Sequence, residues 1–295
     1  MKKLGFIGGG NMAEALARGL IARKIFKPAD LIVSDVDPVR RRKLARSLKV
    51  ATTADNLVVL RESSALLIAV KPQNIDDVLG EMAAAMRPSD TAGNSGRNSS
   101  RAAVKPAPKP LKPADRLFIS IAAGITIERM VTALGAGARV IRVMPNAPAM
   151  VGQGMAALVR ASGASRTDEV FALRIFGAVG DAVALADEPL LDAVTALFGS
   201  GPAYVYLFVK ALADAGVSEG LTPELAVRMA LQTLRGAEEN MRRSPLSAAD
   251  LIRIVASPGG TTEAALSKFA ETRFSAIVAA AVHAAAERSR ALGRS

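Results

Sequence analysis

The run KKLGFIGGGNMAEALARGLIARK, Lys2 to Lys24, holds an apolar strand, a glycine turn and an alanine-rich helix in direct succession. That order opens a dinucleotide-binding βαβ unit. Within it, Gly8-Gly9-Gly10-Asn11-Met12-Ala13 fits G-x-G-x-x-A: Gly8 permits the tight turn, Gly10 lets a pyrophosphate approach the backbone, and Ala13 allows close helix-strand packing. A glycine turn serving packing alone is the alternative. The placement between strand and helix favours the cofactor.

Working outward, DLIVSD reads as a second strand ending in Ser34 and Asp35, PVRRRKLARSL as a helix, and SALLIAVKP as a third strand stopped by Pro72. Alternating strands and helices imply a parallel sheet covered on both faces. RLFISIAAG, the helix TIERMVTALG, at least two strands in ARVIRVMPNAPAMVGQGMAALVRA, the helix TDEVFALRIFGAV and the strand DAVALA extend this half to Ala186. From Asp187 the spacing is helical throughout. The expected fold class is therefore α/β, a Rossmann-type dinucleotide-binding domain over 1–186 followed by an all-α domain over 187–295. GSGPAYVYLFVKALADAG is apolar on nearly every side, which a helix sustains only when buried all round. Helices of a second copy are the expected cover, making an intertwined dimer.

Composition narrows the function classes. The 295 residues, half of them hydrophobic, support two domains with substantial cores. With no cysteine, disulfides and thiolate chemistry are excluded, and a cytoplasmic setting is the expectation. Glu14 and Arg18 interrupt the opening apolar run before it resembles a signal peptide, and no membrane span is expected. The net charge of +11 raises nucleic-acid binding, but nearly half of the excess lies between Arg87 and Arg116. That Ser-, Gly-, Pro- and Lys-rich stretch reads as a flexible loop. Few aromatics and no Trp argue against base stacking, so no nucleic-acid partner is expected.

Several further stretches carry chemistry. Asp35 ordinarily accepts the ribose hydroxyls of NADH and repels the 2′-phosphate of NADPH, while Arg40, Arg41 and Arg42 could meet that phosphate or form a solvated helix face. NADPH or NADH is thus the cofactor, with the preference open. Ala69-Val70-Lys71-Pro72 ends the third strand, where open α/β sheets place ligands, although Lys71 could be a plain surface lysine. Ala122 and Ala123 end the next strand in small residues that would let a nicotinamide lie close, or that simply pack tightly. In SPGGTTEAAL, Ser257 to Leu266, a Pro-Gly-Gly turn before a helix exposes N–H groups as an anion socket. Thr261 or Thr262 could equally be an N-cap. His283, the only histidine, reads as structural, and Ser200 lacks the nucleophile-elbow pattern. No His, Asp and Glu cluster has metal-ligand spacing, so no metal is expected.

Taken together, GFIGGGNMAEAL, AVKPQ, SIAAGITI, RVMPNAPA, GSGPAYVYLFVKALADAG and SPGGTTEAAL resemble the pyrroline-5-carboxylate reductase family in order and spacing along nearly the whole chain. The resemblance implies reduction of the cyclic imine 1-pyrroline-5-carboxylate to L-proline with NAD(P)H, the last step of proline biosynthesis. It implies cofactor contacts at Gly8, Gly9, Gly10, Asn11, Met12, Ala13, Ser34, Asp35, Asn56, Ala69, Val70, Lys71, Pro72, Ala122 and Ala123. Substrate contacts are implied at Ser257, Gly259, Gly260, Thr261 and Thr262, with Thr262 on the ring nitrogen, and a homo-oligomer through the C-terminal helices. Ala147, Phe198 and Ile254 depart from the family's usual residues, and the Arg87–Arg116 loop is an insertion. Reduction of another cyclic imino acid or a small oxo acid, or cofactor binding without turnover, are the alternatives.

Overall fold

The computed structural model describes residues 2–87 and 111–293. They form two compact units: one runs to Thr195 and takes up the chain again at Ser289, and the other spans Ala196–Arg288.

The first unit is built on eight strands: β1 (Lys2–Ile7), β2 (Leu31–Ser34), β3 (Ala51–Thr53), β4 (Ser63–Ile68), β5 (Leu117–Ser120), β6 (Arg139–Pro145), β7 (Gly154–Arg160) and β8 (Gly180–Ala184). Their order in the sheet is β3-β2-β1-β4-β5-β6-β7-β8. Strand order therefore reverses between β1 and β4, and open α/β sheets bind ligands outside the carboxyl ends of the strands at such a point. Helices α1 (Asn11–Ala22), α2 (Pro38–Leu48), α3 (Asn56–Glu62), α4 (Ile75–Met86), α5 (Ile127–Leu134), α6 (Arg166–Phe176) and α7 (Leu190–Val194) belong to this unit.

Side chains alternate across the sheet with the period of a strand. Leu4, Phe6, Ala65, Leu67, Leu117 and Ile119 join α1 residues Leu16 and Leu20 in one core. Ile7, Leu66, Ile68 and Phe118 join α4 residues Leu79 and Met82 in the other. Both faces are covered, as the sequence predicts. Burying each Leu, Ile or Phe contributes about 1.5–3 kcal/mol, so the central strands are the rigid base on which the loops stand.

The sheet differs from the expected all-parallel one in a single pairing. β6 and β7 are antiparallel, with Met144 opposite Ala157. Their connection, residues 146–153, is too short for the crossover of a dozen or more residues that parallel neighbours require. A short edge strand, β3, escapes the pattern analysis because its residues are neither continuously apolar nor alternating. The predicted loop also ends earlier than Arg116: Leu111 packs on the second core, and buried Arg116 donates from Nε to the Leu60 carbonyl at 3.2 Å. Residues 88–110 of that loop lie outside the described residues.

The second unit holds helices α8 (Gly201–Ser218), α9 (Pro223–Arg243), α10 (Ala248–Val255), α11 (Thr261–Glu271) and most of α12 (Phe274–Gly293), with no strand among its described residues. α8 starts at Gly201, with Ser200 as its N-cap residue and Pro202 in its first turn, the helix start that the glycines and proline there suggest. A π-helical stretch at Thr195–Gly199 leads up to it. By length and composition alone, Leu190–Ser218 is apolar enough to cross a membrane. On the single chain α8 is not buried all round: Tyr206 is 64% and Leu207 68% exposed. Thr222 caps α9, accepting from Leu225 N at 3.4 Å, and Ser247 caps α10 in a capping box with Asp250.

Candidate functional site

In the first unit, the carboxyl ends of β1, β2, β4 and β5 bring most of the cofactor residues to one edge. Gly8 follows β1 with φ +93° and donates to the Ser34 carbonyl at 2.9 Å. Gly10 begins α1 with no side-chain cap, so the first-turn N–H groups of Asn11, Met12 and Ala13 have no capping side chain to meet. A Cβ added to Gly10 would meet no protein atom nearer than Arg40 Nη1, at 4.0 Å. Packing does not demand a glycine there. The free space over a helix N-terminus fits a pyrophosphate, which needs close backbone approach and the positive end of a helix dipole.

Asp35 stands just beyond β2, only 9% exposed. Its Oδ2 accepts from Gly9 N at 2.8 Å and pairs with Arg40 Nη1 at 3.5 Å, while Oδ1 accepts from Asp37 N at 2.8 Å. Arg41 Nη1 donates to the Asp35 carbonyl at 2.6 Å. The carboxylate thus braces the glycine turn and is charge-compensated by Arg40. Arg42 lies apart from this cluster, in a groove with Lys43 and Arg46. The arginine run therefore divides, two residues at the site and one on the outer face of α2.

Ser34 is fully buried. Its hydroxyl donates to Asn56 Oδ1 at 2.7 Å, and Asn56 Nδ2 donates to Glu81 Oε2 at 2.9 Å. The sequence offers no signal for Glu81, because it reaches Asn56 from another helix. Ala69, Val70 and Lys71 follow β4, with Lys71 exposed and Pro72 opening a short 3-10 turn. Ala122 and Ala123 lie just beyond β5, Ala122 buried and Ala123 exposed.

In the second unit, Ser257, Gly259, Gly260, Thr261 and Thr262 form one turn and the start of α11. Gly260 N donates to the Ser257 carbonyl at 3.0 Å, and Gly259, at φ +70°, donates to Glu263 Oε2 at 2.7 Å. A Cβ on Gly260 would lie 2.5 Å from Ser257 Oγ, so this turn closes only on glycine. The helix N-cap is Gly260 and no side chain caps it. Neither threonine hydroxyl is a cap; both belong to the first helical turn, Thr261 exposed and Thr262 half-buried. His283 and Ile254 are exposed, and no group of His, Cys, Asp and Glu suited to a metal occurs among the described residues.

A glycine turn at a topological switch point and a separate all-helical unit define a dinucleotide-dependent oxidoreductase with its own assembly domain. Residues 3–90 match the family model described as NADP oxidoreductase, coenzyme F420-dependent, and residues 188–292 match that described as pyrroline-5-carboxylate reductase dimerisation. The chain is 38% identical to the pyrroline-5-carboxylate reductase of Synechocystis over 99% of its own length and 98% of that protein. The solved pyrroline-5-carboxylate reductase of Coxiella burnetii superposes with a TM-score of 0.86 at 30% identity, covering 100% of this chain and 99% of that one. The Plasmodium falciparum enzyme with NADP bound gives 0.81 at 30% identity, covering 99% and 98%. The chain belongs to the pyrroline-5-carboxylate reductase family.

Proposed function

We propose that this protein reduces 1-pyrroline-5-carboxylate to L-proline, as the last step of proline biosynthesis, with the cofactor at the glycine turn and the substrate at the Ser257–Thr262 turn. The observation that carries the reading is the open space at Gly10 over an uncapped helix N-terminus, in a chain similar over its whole length to pyrroline-5-carboxylate reductases. NAD(P)H supplies the hydride. The imine carbon accepts it, the C=N π pair stays on nitrogen, and a solvent proton already carried by the iminium becomes part of the product amine. Such a reaction needs no strong side-chain acid, so orientation and electrostatics supply most of the rate. The chain's lone histidine, exposed on α12, has no part in it.

In this reading Asn11, Met12 and Ala13 offer their N–H groups to the pyrophosphate. The Gly259 and Gly260 N–H groups are taken up within the turn, so Thr261 and Thr262 offer the backbone donors to the substrate carboxylate, and the Thr262 hydroxyl hydrogen-bonds the ring nitrogen. Arg40, paired with Asp35, favours NADPH by lessening the repulsion between that carboxylate and a 2′-phosphate. The exposed apolar residues of α8, with the groove that Val209, Ala213, Val227 and Leu231 line, are the surface for a second copy. The cytoplasm is the compartment that the cysteine-free sequence suits.

The test follows oxidation of NADPH and of NADH by the purified protein with pyrroline-5-carboxylate and with its six-membered homologue. Faster turnover of the five-membered ring is expected. Turnover of the six-membered ring alone would move the assignment to another imino acid, and cofactor binding without any oxidation would make this a binding protein.

A further inference from the structure

The loop between β5 and α5 carries Ala122 and Ala123, and two contacts from far along the chain, both within the first unit, reach it, one of them braced by a third. Gly124, at φ +76°, lies under the last turn of α12: a Cβ there would sit 3.1 Å from the Leu292 carbonyl oxygen and 3.6 Å from Leu292 Cβ. Ser289, in the same turn, donates from Oγ to Asp192 Oδ1 at 2.6 Å. At the other end of the loop, Glu188 Oε1 accepts from the Ile127 N–H at 2.9 Å and from Arg142 Nη1 at 2.6 Å. Thr126 caps the same helix, accepting from Arg129 N at 3.2 Å.

Glu188 therefore ties the loop's exit to β6 through Arg142, and the α12 turn presses on its middle. Between these contacts lies a cavity of about 300 Å³ lined by Thr126, Arg142, Glu188, Asp192, Arg290 and Gly293. Ala122 and Ile125 are buried in the second core, so the base of the loop is closely packed, while its exit and Gly124 are held by the contacts just described. Losing one contact should free the outer part of the loop, Ala123 and Gly124, to shift over that packed base. Glu188, Asp192, Ser289 and Leu292 all fall within residues 188–292, the part matched by the dimerisation model.

We propose that Glu188 and Ser289 are positioning residues, two halves of a clasp that fixes the β5–α5 loop and thereby the plane in which the nicotinamide lies. This rests on the reading that places the nicotinamide against Ala122 and Ala123. A reacting ring displaced by about 1 Å can lose on the order of a hundredfold in rate. Its adenosine half, held at the ends of β1 and β2, stays where it was. The clasp would thus act on hydride transfer and leave cofactor capture nearly alone.

The experiment uses full-length Glu188→Ala, Glu188→Gln, Ser289→Ala and Ser289→Thr, with Ala123→Val as a control on the reading. Turnover with pyrroline-5-carboxylate, the isotope effect with 4-deuterated NADPH, and affinity for 2′,5′-ADP are measured on proteins shown to be folded by their melting curves. Glu188→Ala and Ser289→Ala should lower kcat several-fold and enlarge the isotope effect, with 2′,5′-ADP affinity unchanged. Glu188→Gln and Ser289→Thr, which keep the acceptor and the hydroxyl, should recover most of the rate. Normal kcat and isotope effect in both alanine variants, with turnover lost in Ala123→Val, would overturn the clasp and leave the nicotinamide reading standing. Normal turnover in Ala123→Val would overturn that reading, and the clasp with it. An equal loss of 2′,5′-ADP affinity would mean that the whole edge of the sheet had loosened, and would also overturn the proposal.

Discussion

The Gly9 N–H donates to Asp35 Oδ2 at 2.8 Å across 26 residues of chain, so the first turn of the nucleotide site is held by the residue just beyond the second strand. Asp35 therefore has two duties, bracing the turn and setting charge beside the ribose. Asp35→Asn keeps an acceptor for Gly9 and removes the charge, and should raise the NADPH to NADH preference with little loss of overall affinity. Asp35→Ala should raise KM for both cofactors, since the turn loses its brace. The shift in preference should shrink at high salt. An unchanged ratio in Asp35→Asn would separate Asp35 from the ribose altogether.

Arg40 makes the opposite test. Its guanidinium pairs with Asp35 and is the protein group nearest the space above Gly10. Arg40→Ala should raise KM for NADPH about tenfold, as loss of a charge-assisted contact of roughly 1.5 kcal/mol would do, and leave NADH less affected. Arg42→Ala, in the outer groove, should change neither.

Thr262→Ala should lower kcat much more than cofactor affinity, because the hydroxyl assigned to the ring nitrogen is worth about 0.5–1.5 kcal/mol, and more if it strengthens in the transition state. Thr261→Ala should do less, since that residue offers mainly its backbone N–H. Neither variant should lose the ~1 kcal/mol of a helix cap, because Gly260 holds that position. Near-normal turnover in Thr262→Ala would withdraw the threonine from the reaction.

Asp168 gives the pH prediction. Burial pushes its carboxyl up, but hydrogen bonds from Arg139 and from the Ser165 N–H and hydroxyl together hold it below the ordinary aspartate range. A folded value below the unfolded one stabilises the protein above the unfolded carboxylate range and loses that contribution as pH falls through the folded value. Asp168→Asn should therefore cost about 1.5–3 kcal/mol near neutrality and progressively less below about pH 4. A difference independent of pH in denaturant titrations would remove the charge from the explanation.

Leu207→Arg addresses assembly. Leu207 is among the most exposed apolar residues of α8, and a charge in a desolvated interface core is strongly unfavourable. Light scattering should show a smaller species than wild type at equal concentration. Retention of the wild-type mass would place the interface elsewhere.

The order of strand, glycine turn and helix was legible because a short apolar run gives way to helical spacing at Gly8 to Gly10, and the continuously apolar strands β2, β4 and β5 announce themselves in the same way. β3 was not legible, since three half-exposed residues at an edge need no apolar pattern. The antiparallel β7 was hidden because alternation reports which face a side chain takes and says nothing of strand direction. At the candidate site, the sequence marks residues whose backbone must be small or turned. It does not mark Glu81 and Glu188, whose significance comes from partners brought near by the fold: Asn56 for one, Ile127 and Arg142 for the other.

Gly259 donates to Glu263 in the same way that Gly9 donates to Asp35. The chain thus sets the Pro258–Gly260 turn with an anion of its own and leaves the first-turn N–H groups of α11 with no capping side chain. The conformational entropy of ordering that turn is lost when the protein folds, so a small ligand with few rotatable bonds need not offset it on arrival. A rigid five-membered ring bearing one carboxylate has little binding energy to spend on rearranging its host. Glu263→Ala should accordingly weaken substrate binding through a less favourable binding entropy, visible by calorimetry, although Glu263 is given no contact with the substrate.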